Sequence, residues 1–288
     1  MMKNMKKLWA LLLALTMVLS LAACGGSKEE TAKEEAPAET QEEQAPVEEN
    51  ADADSDLAYV QDKGVLVVGI TDFEPMDYKD ADGNWIGFDA DMAQAFAESL
   101  GVDVEFVEID WDNKVLELDS QAIDCVWNGM TLTDEVTSAM ECSNAYCNNA
   151  QVVIVPADKA DQYQTVEACA DLAFAVEAGS AGEAEISALG YSYTPVKAQS
   201  DALMEVAAGT SDAAVIDSLM AAAMVGEGTG YSALTYTCGL NSEEYGVGFR
   251  KGSDLAQKLN DFFKASYDDG TMMQIAETYG VQAAIIEQ

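Results

Sequence analysis

The residues best placed to do chemistry lie between Ile123 and Val136, reading Ile-Asp-Cys-Val-Trp-Asn-Gly-Met-Thr-Leu-Thr-Asp-Glu-Val. The stretch opens as an apolar run suited to a buried strand, breaks at Asn128-Gly129, and restarts as a helix. Thr133 supplies a hydroxyl cap, and Asp134 and Glu135 place acid in the first turn. A strand that turns through glycine into a helix start presents free backbone N–H groups beside a crevice, an arrangement that suits an anionic ligand group. The stretch contains no positive side chain to complete such a site, and Val136 stands where one would be wanted.

Much other chemistry is excluded. The chain has no histidine, which removes Ser-His-Asp and Cys-His catalysis and the usual zinc sites. No catalytic residue, metal or cofactor is expected. Beyond Cys24 there are Cys125, Cys142, Cys147, Cys169 and Cys238, none in Cys-x-x-Cys spacing. Disulfides are their expected use outside the cytoplasm, with one thiol left over and the pairing open. The formal net charge is −38, and the only arginine is Arg250. Such a surface repels nucleic acid and anionic lipid headgroups and favours cationic solutes.

The elements that must position these residues begin after a leader. Lys3, Lys6 and Lys7 precede the apolar run Leu8 to Leu21, too short for a comfortable membrane span. Residues 1–23 read as a signal peptide ending in Leu21-Ala22-Ala23-Cys24, which resembles the bacterial lipobox with Cys24 as the lipidated residue. An ordinary cleavage after Ala23 is the alternative. Residues 24–56 are rich in Glu, Ala, Pro, Thr and Gln with almost no large apolar residue, and read as a disordered acidic tether.

From Val65 strands and helices alternate. Val65–Ile70, Val102–Phe106, Ile123–Trp127 and Gln151–Val155 read as strands. Asp89 is expected to cap a helix that carries Met92, Phe96 and Leu100 and stops at Gly101, and a second helix covers about Asp112 to Ser120. A second series follows, with strands at Ala173–Val176, Tyr193–Val196 and Ala213–Ile216. Its helices start at Gly179-Ser180-Ala181-Gly182, at Ser200 and at Ser218. Short strands at Leu234–Tyr236 and Gly246–Phe249 precede helices at Asp254–Tyr267 and Met272–Tyr279. Two α/β units imply two lobes, each a mostly parallel sheet flanked by helices, with a crevice between strand carboxyl ends.

The order of motifs resembles the extracytoplasmic amino-acid-binding receptors of ABC importers, with the type II periplasmic-binding-protein fold. The matching pieces include Phe73-Glu-Pro-Met-Asp-Tyr78, Gly87-Phe-Asp-Ala-Asp-Met92, Asp110-Trp-Asp112, Gly129-Met-Thr-Leu-Thr133, Ala178-Gly-Ser180, Ser211 to Asp217, Tyr245 to Gly252 and Asp269-Gly-Thr271. The resemblance implies a first lobe of residues 57–149 and 246–288 and a second of 150–245, joined by two hinge strands. It implies a monomeric receptor, anchored to the bacterial cell membrane through Cys24, that closes on a small solute and delivers it to a membrane permease.

Site roles follow from the same resemblance. Phe73 and Phe88 match aromatic positions that sandwich the solute, and Asn128, Gly129 and Thr131 match the segment that bonds its amino and carboxylate groups. Asp217 matches the acid that pairs with an α-ammonium, and Ser180 matches a donor to the carboxylate. Val136 departs from the arginine usual at that position, and Glu177 stands where Gln or Lys is common. An aromatic, acidic site without arginine implies a solute that is cationic overall, a basic amino acid or an amine, with a neutral polar amino acid as the wider alternative. A dehydratase-like enzyme on the same fold and a sensory ligand-binding module are the rival functions.

Overall fold

The computed structural model describes residues 55–288, so the signal peptide, Cys24 and most of the tether lie outside the described residues. The chain opens with α1 (Asp56–Lys63), β1 (Val65–Ile70), the small hairpin β2 (Tyr78–Lys79) and β3 (Trp85–Ile86), and α2 (Phe88–Leu100). It continues through β4 (Asp103–Glu108), α3 (Lys114–Asp119), β5 (Cys125–Thr131), α4 (Asp134–Ala139), β6 (Glu141–Cys142) and β7 (Cys147–Asn149). One residue later β8 (Gln151–Pro156) enters a second sheet, with β9 (Ala173–Glu177), α5 (Ala181–Leu189), β10 (Ser192–Val196), α6 (Gln199–Ala208), β11 (Ala213–Asp217), α7 (Ser218–Met224) and β12 (Leu234–Gly239). Then β13 (Glu243–Phe249), α8 (Leu255–Asp268) and α9 (Thr271–Tyr279) return to the first.

The first sheet has the order β4-β1-β5-β13-β6, with β7 also on β13, and the second the order β10-β9-β11-β8-β12. Within them β1 runs parallel to β4 and β5, and β9 runs parallel to β10 and β11. The apolar run of β1 reflects this: Val68 and Ile70 are fully buried between layers, as a covered parallel strand requires. The chain crosses between the lobes twice, at Ala150 and at Leu240–Ser242. The crossings are bonded together by Leu240 N–H to Gln151 O and Gln151 N–H to Asn241 Oδ1, both 2.8 Å.

Four expectations are corrected. The tether does not extend to residue 56: Ser55 caps α1, and Asp56 accepts from the Arg250 guanidinium at 2.8 Å, so both belong to the fold. β5 does not end at Trp127. It runs to Thr131, because Gly129 takes φ 55° and lets the strand kink and stay paired with β13. Asp89 does not cap α2; it lies inside the first turn with its carboxylate turned toward β5. The expected disulfide use is also not seen, since the five cysteines beyond Cys24 are free thiols. Among the described residues no helix is long and apolar enough to cross a membrane.

Candidate functional site

Between the lobes lies a cavity of about 990 Å³, lined by Trp111, Thr131 and Val136 from one side and Glu177, Ser180 and Asp217 from the other. The second wall is built by strand ends. Asp217 closes β11, and its carboxylate accepts from Asn149 Nδ2 and Gln199 Nε2 at 2.9 Å each, and from Gln151 Nε2. Glu243, at the start of β13, takes further donors from Asn149, Gln151 and Thr131, so the acid that faces the crevice is bonded into the strands that cross between lobes.

Burial, followed by the Glu243 charge, pushes the Asp217 carboxyl up to about 7. Glu177 is 3% exposed, and its Oε1 has no hydrogen-bond partner. Burial, then the Asp217 charge, pushes its carboxyl up to about 8. Two buried acids that resist ionisation side by side form a seat for a cation, which would restore both carboxylates. The linkage has a definite sign. Both folded values lie above the ordinary 3.8 and 4.5, so the unfolded chain releases these protons first. The solute-free protein is therefore expected to lose stability as pH rises from about 4 to about 8. Melting temperatures across that range should show a shallower fall in Glu177→Gln than in the wild type. A cationic solute should bind progressively more tightly up to about pH 8, because binding releases protons.

The first wall differs from expectation. Asn128 is spent internally: its Oδ1 accepts from Thr71 N–H and its Nδ2 donates to Thr71 Oγ1, both at 2.8 Å. Gly129 N–H donates to Asp89 Oδ2 at 2.6 Å, and Thr131 Oγ1 donates to Glu243 at 2.9 Å. All three line the cavity, but these donors are engaged within the protein. Phe73 and Phe88 do not line it. Phe73 packs under Gly129, where a Cβ would come within 2.3 Å of its ring. Phe88 is fully buried and stacks on Tyr146, whose hydroxyl holds Asp89. The aromatic rings that do line the cavity are Trp111 and Tyr193, the former packed in a cluster that also contains Val136 and Met130.

Sequence reasoning also missed Lys114, the only basic side chain among the cavity-lining residues. It starts α3, arises from the first lobe and reaches the second, donating to Gly179 O at 2.9 Å. The rim closes beside it. Gly179 has φ 72°, and a Cβ there would lie 2.8 Å from Asp112 Cα. Ser180 caps α5 by accepting from Glu183 N–H at 3.1 Å, while the Glu183 carboxylate accepts from Gly179 N–H at 2.7 Å. Gly179→Ala is expected to prop the rim open and weaken solute binding about tenfold, because its Cβ would meet the Asp112 backbone when the lobes close. Calorimetry checks the affinity, and the radius of gyration at saturating solute checks the closure.

With this geometry in place, comparison with known proteins is decisive. Residues 66–282 match the bacterial extracellular solute-binding proteins, family 3. The chain belongs to that family. It is 25% identical over 282 residues to the arginine-binding extracellular protein ArtP of Bacillus subtilis (strain 168), covering 96% of this chain and 98% of that protein. It is 27% identical over 232 residues to the L-cystine-binding protein TcyJ of Escherichia coli (strain K12), covering 77% of this chain and 85% of that protein. Among solved structures it resembles the ancestral amino acid-binding protein AncCDT-1, a precursor of cyclohexadienyl dehydratase. That match has a TM-score of 0.72 at 31% identity and covers 78% of this chain and 99% of the other. As a family member the protein binds its solute outside the cytoplasm, in the periplasmic-binding-protein type II fold described above.

Proposed function

We propose that the protein is a membrane-anchored receptor that captures a cationic amino acid, or a related small amine, between its lobes and delivers it to an ABC permease. The observation that carries the reading is the pair of buried carboxylates on one wall of the cavity, Asp217 and Glu177, whose Oε1 has no hydrogen-bond partner. A distal cation satisfies Glu177, and an α-ammonium satisfies Asp217. The names of ArtP and TcyJ support an amino acid as the solute class, and the net charge of −38 supports attraction of cations. The lobes are residues 55–149 with 243–288, and 150–242; the second crossing comes before residue 245, where the sequence reading put it, because β13 starts at Glu243 on the first sheet. Closure about the two crossings converts solute binding into a shape the permease reads. The protein acts as a monomer, tethered through lipid on Cys24.

A thermal-shift and calorimetric panel of basic, neutral and acidic amino acids, with the matching decarboxylated amines, tests the solute class. Tight binding of acidic amino acids with none by cations would sink it. Labelling with a radioactive fatty acid tests the anchor: Cys24→Ser should lose the label and release the protein into the medium. A dehydratase-like enzyme is the second reading, favoured by Glu177, an acid held protonated near neutral pH in the crevice. Recovery of the bound solute unchanged after prolonged incubation argues for the receptor; turnover would replace it with the enzyme.

A further inference from the structure

The geometry points to Lys114 as the residue that receives the solute's carboxylate, supplying from α3 the positive charge that Val136 does not. The inference rests on the receptor reading and deepens it, because it assigns the solute an acid group as well as an amine.

Lys114 is only 9% exposed, yet no carboxylate lies within salt-bridge distance of it among the described residues. Its ammonium donates to two backbone carbonyls, Trp111 O at 3.2 Å and Gly179 O at 2.9 Å, and sits 4.9 Å over the Trp111 ring. An ammonium has three donors, so one stays uncommitted. A buried ammonium held only by neutral oxygens and a ring face is desolvated without a counterion, a condition that an incoming anion relieves. The nearest carboxylates that act on it, Glu177, Glu135, Asp112 and Glu183, do so through space and make no ion pair.

The second half of the seat is the start of α5. Within its first turn Ser180 occupies the Glu183 N–H, which leaves the Ala181 and Gly182 amides without an intrahelical acceptor by helix geometry. Lys114 is bonded to Gly179, two residues before Ala181, and both Lys114 and Ala181 line the cavity, so the ammonium stands at the start of α5. Gly182 in turn packs against Gln151, whose amide donates to Asp217. The carboxylate seat therefore adjoins the α-ammonium seat, as the two ends of an α-amino acid require. Val136 is buried, 7% exposed, in the apolar cluster that supports Trp111, so the same wall offers packing in place of a guanidinium.

The test pairs each amino acid with its decarboxylated amine: L-arginine with agmatine, L-lysine with cadaverine, L-histidine with histamine. Wild type is expected to prefer the amino acid of whichever pair it binds. Lys114→Met should weaken that amino acid about 10- to 100-fold, as loss of a charged hydrogen bond does, and leave the amine within about threefold. Lys114→Arg should retain the preference, and Val136→Arg added to Lys114→Met should restore part of it. If Lys114→Met weakens acid and amine equally, Lys114 is a latch between lobes and the assignment fails. If it tightens both, Lys114 occupies the solute's cation seat and the assignment fails. A wild type that binds amines but no amino acid overturns the assignment and leaves the receptor reading standing; one that binds neither overturns both.

Discussion

Asp217→Ala is expected to abolish solute capture at physiological concentrations. The carboxylate is buried, and three side-chain amides, from Asn149, Gln151 and Gln199, converge on it. Those amides fix its rotamer before the solute arrives, so a cation meeting it pays little for reorganisation. Removing one partner of a buried, hydrogen-bonded charge pair costs about 2–5 kcal/mol, which corresponds to an affinity loss of about 30-fold to several thousand-fold. Asp217→Asn should lose less, since shape and part of the hydrogen bonding survive while the charge does not. The measurement is calorimetry on both variants, with circular dichroism to show that the fold is retained. Affinity within threefold of wild type in Asp217→Ala would remove this acid from the site.

Asp217 also shows what the sequence made legible. Its place at the end of an apolar strand, before a helix, is visible in Ala213 to Ser218, and the structure puts β11 and α7 there. The same holds for Glu177 after β9 and for Ser180 before α5, because strand carboxyl ends in an α/β sheet mark the crevice without any long-range information. Strand periodicity was equally plain in β1, whose continuous apolar run admits only a covered position.

What the sequence hid depends on side chains that cross between elements. Lys114 begins a helix in one lobe and ends on a carbonyl of the other, 65 positions later, and no local pattern records that reach. The strand-like length of β5 was hidden for a related reason. Asn128-Gly129 looks like a terminating turn, yet Asp89 and Phe73, from 40 or more positions earlier, hold Gly129 in the strand from either side. Phe88 was misplaced because an aromatic beside a glycine gives no sign of which face it takes; Tyr146 draws it into the core. Ser55 and Asp56, the cap and first residue of α1, read as tether because the residues before them are acidic and polar, and their support comes from Asp254 and Arg250, nearly two hundred residues away.

That distant support leads to the largest expected effect on stability, at Asp124. The residue begins the turn into β5 at the end opposite the crevice, and its carboxylate is completely inaccessible to solvent. Its Oδ2 accepts from Lys63 Nζ at 2.6 Å and from Val67 N–H at 2.8 Å, and its Oδ1 faces Arg250 Nη2 at 3.5 Å. Arg250 also donates to Ile123 O and forks onto Asp56, so one acid joins α1, β1, β5 and the chain beyond β13. Asp124→Ala would leave two cations facing each other and a buried amide unpaired. Breaking a buried pair in this way costs about 3–5 kcal/mol, which in a domain of this size lowers the melting temperature by about 6–20 °C. Asp124→Asn keeps an acceptor for Val67 and should lose less. Since the network lies at the far end of β5 from the cavity, solute affinity measured well below the transition should stay within about threefold of wild type. A thermal melt and a binding isotherm on the same preparation separate the two effects. A variant that melts like wild type would show that the Arg250 fork onto Asp56 carries the junction alone.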